Sequence, residues 1–105
     1  MISEDKRKEA DKMQRYKKKL MNEYRYTDHA AELTAWDLCH LISEDARDAA
    51  KRWMKEDVYT DVAVQGVSVF RLMEERHMRF PAALIFVDWM RRDPKAARDF
   101  LEAIL

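Results

Sequence analysis

Glycine is almost absent from this chain, with one residue in 105. Phosphate-cradling loops need clustered glycines, because only glycine lets a backbone wrap closely around an anion. Gly66 alone cannot build G-x-x-x-x-G-K-[ST] or G-x-G-x-x-G. Proline is nearly as scarce, at Pro81 and Pro94 only. A β-sandwich or barrel of this length would need many more tight turns, so an all-α fold is expected. There is a single cysteine, Cys39, and no internal disulfide can form, as suits a reducing compartment. No run of ~18 apolar residues occurs, so no membrane span is expected. The opening MISEDKRKEADK lacks the apolar core of a signal peptide, and the expectation is a cytoplasmic protein. Neither sign of charge is in excess, since 20 Lys/Arg balance 20 Asp/Glu.

What is abundant points to helices. Hydrophobic residues make up 48% of the chain, too many for intrinsic disorder, and charged residues make up 38%, the mark of exposed helix faces carrying ion pairs. The length fits a single all-α domain over 1–105, a small bundle of four to five helices. Charge is unevenly spread. Residues 1–25 carry nine Lys/Arg against five Asp/Glu, and residues 26–105 carry eleven against fifteen. A basic arm precedes an acidic body.

Ser3 can cap a first helix running to about Arg25. Ala10, Met13, Lys17, Leu20 and Tyr24 form its narrow apolar stripe, with Tyr16 and Met21 beside it. So polar a helix is weakly held, and 1–26 reads as a basic N-terminal helix free to project. Thr27 or Asp28 caps a second helix, with Ala31, Thr34, Ala35, Leu38, Leu41 and Ile42 on its apolar face. His29, Leu33, Trp36 and His40 lie on the opposite side. The acids after Ser43 restart the polarity of a helix dipole, so 28–56 is expected to break there rather than run as one helix. The third helix puts Ala46, Ala49, Ala50 and Trp53 on one face.

Segment 58–73 admits two structures. Its β-branched residues flank Gln65-Gly66, as in a hairpin. A helix from Thr60 or Asp61 is preferred, because an isolated two-stranded hairpin is marginal. Pro81 then opens a largely buried helix, 81–92, on which the bundle is centred. Leu84, Asp88, Arg91 and Arg92 mark its wet edge. Asp93-Pro94 starts the last helix, with Ala97, Phe100, Leu101, Ile104 and Leu105 inward. Leu84 and Ile104-Leu105 are candidates for extending that core into a dimer contact.

Chemistry is sparse. His29-x-x-Glu32 and Asp37-x-x-His40 have metal-ligand spacing, but di-metal bundles need further inward carboxylates, and no metal site is expected. Cys39 and His40, as neighbours on a helix, diverge by ~100°, so His40 does not activate the thiol. With no catalytic motif and no cofactor fingerprint, the chain reads as a non-enzyme. In a helix-turn-helix, Arg47, Lys51 and Lys55 would enter the groove, where Glu44, Asp45, Asp48, Glu56 and Asp57 would repel phosphate.

The expected function is therefore non-catalytic: a small helical protein that binds another protein as an accessory, regulator or inhibitor, with inhibitors and adaptors of bacterial and phage systems as the class analogy. Leu33 and Trp36, off the core face, are its apolar anchors. Lys17, Lys18, Lys19 and Arg25, with Tyr24, would meet an acidic surface of the partner. A homodimer is a second form of the same idea. The alternative is nucleic-acid binding by the basic N-terminal helix, whose lysines and tyrosines suit phosphates and bases.

Overall fold

The computed structural model describes residues 4–103. Ser3, Ile104 and Leu105 lie outside the described residues. Six helices and one two-stranded hairpin follow in chain order: α1 Glu4–Tyr24, α2 Asp28–Cys39, α3 Glu44–Glu56, β1 Ala63–Val64, β2 Val67–Ser68, α4 Val69–Arg76, α5 Phe80–Arg92 and α6 Pro94–Ala103. The fold is all-α, with one helix more than the upper expectation. Among the described residues no helix is long and apolar enough to cross a membrane. The chain groups into two compact units, divided between His40 and Leu41.

The first unit is a helical hairpin. Arg25 in the left-handed region (φ 58°) ends α1, and the Tyr26 N–H closes the corner on the Leu20 carbonyl at 3.1 Å. Thr27 then caps α2, its hydroxyl accepting from the Ala30 N–H at 3.2 Å. Lys17 meets Asp28 and Glu9 meets His40, so the two helices run antiparallel. At 1.5 Å per residue α1 is about 31 Å long and α2 about 18 Å. Since Glu9 is level with the end of α2, the turn and a half Glu4–Lys8 overhangs it, and residues 4–11 are exposed on every side. The rest of α1 does not stand free: Tyr16, Leu20 and Tyr24 are buried.

In the second unit α5 is central, packed against α3, α4, α6 and both strands. Phe80, Pro81, Ala83, Phe86, Val87 and Met90 are buried, as its sequence implies. Leu84, expected at a wet edge, is 0% exposed, so it lies in the core rather than on a dimer contact. Asp88, expected beside it, is also buried. Its carboxylate accepts from the backbone N–H of Ile42 (3.0 Å) and Ser43 (3.2 Å) and from the Ser43 hydroxyl (3.0 Å). That acid holds the turn that opens α3, which explains why Ser43, though it occupies the cap position, makes no side-chain cap of its own. The break at Ser43 is as expected.

Segment 58–73 corrects the preference for continuous helix. Gln65 (φ 52°) and Gly66 (φ 81°) are both left-handed, the requirement of a type I′ turn, and a helix cannot pass through them. Ala63 pairs with Ser68 and Val64 with Val67. The hairpin is not isolated, because both strands pack on α5. The Ser68 hydroxyl then accepts from the Arg71 N–H at 3.1 Å and starts α4. At the other corner the Asp93 carboxylate accepts from the Ala96 N–H at 3.1 Å, capping α6 as its sequence implies.

Candidate functional site

The outward face of α2 follows from its period. Ala31, Ala35 and Leu38 are buried, which turns positions 29, 33 and 36 the other way. Leu33 is 56% exposed and Trp36 is 50% exposed. A tryptophan and a leucine one turn apart in water are an uncovered apolar pair. The Trp36 ring is not loose. It stacks on His40 at a centroid distance of 3.9 Å and an interplanar angle of 19°. His40 is itself braced: Nδ1 donates to the Trp36 carbonyl at 2.7 Å, and Nε2 lies 3.2 Å from Glu9 Oε1 on α1.

The basic candidates are scattered. Lys17 Nζ is 2.7 Å from Asp28 Oδ1. Lys19 is buried, its ammonium 3.3 Å from Glu23 Oε2 one turn on. Tyr24 is buried and stands edge-on to Tyr26 at 6.4 Å. Lys18 and Arg25 are exposed, Arg25 in the corner after α1. The structure thus sets Leu33 and Trp36 together and turns Lys19 and Tyr24 inward. Beside the N-terminus of α2 runs a shallow groove of about 410 Å³, lined by Arg15, Lys17, Lys18, Met21 and Asn22 of α1 and by Asp28. Met21 and Arg15 were not foreseen as part of any surface. Met21 sits next to the expected α1 stripe and is 36% exposed.

Pairing with α2 also alters the electrostatics. Residues 26–40 contain Asp28, Glu32 and Asp37 and no Lys or Arg. Residues 1–40 therefore carry nine bases against eight acids, a net +1, and residues 41–105 carry eleven against twelve, a net −1. The basic arm is nearly neutralised inside its own unit.

The other candidate groups have structural partners. Cys39 is half-buried, and burial pushes its thiol pKa up; Lys12 opposes this and Glu9 adds to it. A raised thiol pKa is the reverse of an activated nucleophile. Among the described residues no three His, Cys, Asp or Glu side chains gather as a metal site would require. Arg47 Nη1 donates to the carbonyls of Leu41 (3.2 Å) and Ile42 (2.9 Å), so the leading base of the helix-turn-helix triplet is committed to its own chain. Arg91 clamps Asp45 through two bonds of 2.9 and 2.7 Å.

No family model, no curated protein and no solved structure matches the chain.

Proposed function

We propose that the protein is a non-catalytic binding protein and that the outward face of α2 is the surface with which it holds another protein. The observation that carries this is the exposed pair Leu33 and Trp36. Tryptophan is enriched at the energetic centres of protein interfaces, where a rigid ring fills a pocket at little entropic cost. The stack on His40 and the buried side of the same helix hold Trp36 in place before any partner arrives, and such preorganisation lowers the cost of binding. A role as accessory, regulator or inhibitor needs no more chemistry than this. A protein partner is favoured over nucleic acid, because Lys17 and Lys19 are paired with Asp28 and Glu23 and the whole hairpin unit is nearly neutral. The test is a photo-crosslinking amino acid placed at Leu33 in the producing cell. A protein adduct that is insensitive to nuclease and absent from the Trp36→Ala background is expected. Adducts no more abundant than from a control site at Lys51, or adducts removed by nuclease, would refute it.

A further inference from the structure

We infer that the partner brings an arginine to α2, held between the indole of Trp36 and the carboxylate of Glu32, on a segment whose apolar neighbour covers Leu33. The inference rests on the protein-binding role of α2 and names the chemistry of its partner.

Charge at the face itself sets that chemistry. α2 carries Asp28, Glu32 and Asp37 and no Lys or Arg. The α1 bases that reach it are occupied. Lys17 lies 2.7 Å from Asp28 Oδ1, and Lys12, whose charge reaches Cys39, sits over the Tyr16 ring at 5.9 Å. Lys17 also feels Glu32, but one ammonium there faces two carboxylates. Glu32 is exposed and makes no hydrogen bond or ion pair among the described residues. A carboxylate beside an uncovered apolar pair repels phosphate and acidic protein surfaces and attracts a cation.

The helix period makes that cation an arginine. Glu32 and Trp36 are neighbours at i, i+4, and Leu33 and Trp36 at i, i+3. Long side chains on a helix lean toward its N-terminus, so Trp36 leans over the turn that carries Glu32 and Leu33. His40, one turn further on, stacks on one side of the indole at 3.9 Å. No other ring lies against Trp36 among the described residues, and half of the residue is exposed. A planar guanidinium lies flat on an indole and still gives two hydrogen bonds to a carboxylate, whereas an ammonium offers a point charge. Ring and acid share one strip of one helix, so both contacts fall to one side chain. At 100° per residue Leu33 lies on the opposite flank of Trp36 from Glu32, where it meets an apolar residue of the same segment.

The test is selection from a random peptide library displayed on phage, with the full chain immobilised at low salt. Peptides enriched on wild type should share an arginine near an apolar residue. Glu32→Lys should turn the preference to Asp or Glu, and Trp36→Ala should enrich no consensus. In a synthetic peptide of the wild-type consensus, lysine for arginine should weaken binding about 10-fold. That peptide should also shift the Trp36 indole N–H resonance. All of these positions are exposed, so the circular dichroism of each variant should match wild type. An acidic, uncharged or absent consensus on wild type overturns the inference, as does one that tolerates Glu32→Lys or accepts lysine equally. A dimer of the chain that Trp36→Ala dissociates overturns it too, by making a second copy the occupant. If a consensus without arginine still depends on Trp36, the arginine fails while the protein-binding role of α2 stands. Peptides indifferent to Trp36→Ala count against both.

Discussion

α2 and α5 are near equals in length and both are rich in apolar residues, yet they end differently. α5 is enclosed by three helices and two strands, and Phe80, Leu84, Phe86 and Met90 are buried while Ile85 and Trp89 are half-buried. α2 has α1 along one side of it in its own unit, and although Leu38 is buried, Leu33 and Trp36 stay wet. Apolar content alone therefore does not decide burial; the number of neighbouring elements does. The same contrast holds for polar groups. In the second unit, Asp88 is taken fully inside because three donors of residues 42 and 43 await it. In the first, the acids Asp28 and Glu32 of α2 remain at the surface, where they cost little.

Substitutions of the same kind on the two sides test this contrast. The largest effect belongs to Trp53→Ala. Trp53 is fully buried and packs at 6.1 Å from Phe80, so the cavity should cost about 4 kcal/mol. Next is Asp88→Ala, which removes the acceptor of three donors in the turn and of the Arg92 guanidinium and should cost about 3 kcal/mol. Asp88→Asn keeps one acceptor oxygen and should cost less. Guanidinium unfolding followed by far-ultraviolet circular dichroism measures all three. A loss from Asp88→Ala no greater than from an exposed acid such as Glu74 would show that the turn does not depend on that carboxylate.

Much of the fold was legible in local signals. Pro81 and Asp93-Pro94 marked helix starts, and the acids after Ser43 marked the break between α2 and α3. The hairpin at 63–68 was weighed and set aside, because Gly66 also suits a close helix crossing, and nothing local reveals that α5 will support two short strands. Asp88 and Leu84 were misplaced for a related reason. Periodicity locates the wet side of a lone helix and allows Arg92 beside Asp88, but the three donors that hold Asp88 inside lie 45 and 46 residues earlier in the chain. On the candidate surface, Leu33 and Trp36 could be read from period alone. Lys19 could not, since its burial depends on how far the buried arc of α1 extends. The brace of Glu9 on His40 requires the antiparallel register of two helices, which no single-helix pattern contains.

A third prediction concerns the core of the first unit and is moderate in size. Burial holds the Tyr16 phenol up at about 12; Cys39 adds to the rise and Arg15 opposes it. A tyrosine in the unfolded chain ionises near 10. Below about pH 10 both states keep the proton and the stabilisation is fully present; above it the unfolded chain deprotonates first, and the stabilisation is lost as pH rises toward 12. Up to about 3 kcal/mol should disappear across that window, and Tyr16→Phe should flatten the alkaline limb of the stability profile. An unchanged limb would place Tyr16 in a wetter site. A weaker effect sits on the other side of the comparison. Burial alone would raise the Asp45 carboxyl, but the hydrogen bonds from Arg91 and Ser43 outweigh it and hold it below the usual carboxylate range. Its contribution is present above the unfolded value near 4 and is lost as pH falls through the lowered folded value. Half of the Asp45 side chain is exposed, so solvent screening limits the contribution to under about 1 kcal/mol. Arg91→Gln should remove the acid-limb difference at low salt and change little at high salt.

The smallest effect on stability should come from Leu33→Ala. Among the described residues Leu33 is the most exposed of the large apolar ones, and truncating it removes little buried surface, so about 0.5 kcal/mol or less should be lost. Its helix should tolerate alanine well, because alanine has the highest intrinsic helix propensity. The same change should weaken association through α2, and that dissociation of stability from binding separates an interaction surface from a core. If Leu33→Ala instead costs as much as a buried leucine, about 2 kcal/mol or more, then α2 is covered in solution by its own chain, and its difference from α5 is one of degree only.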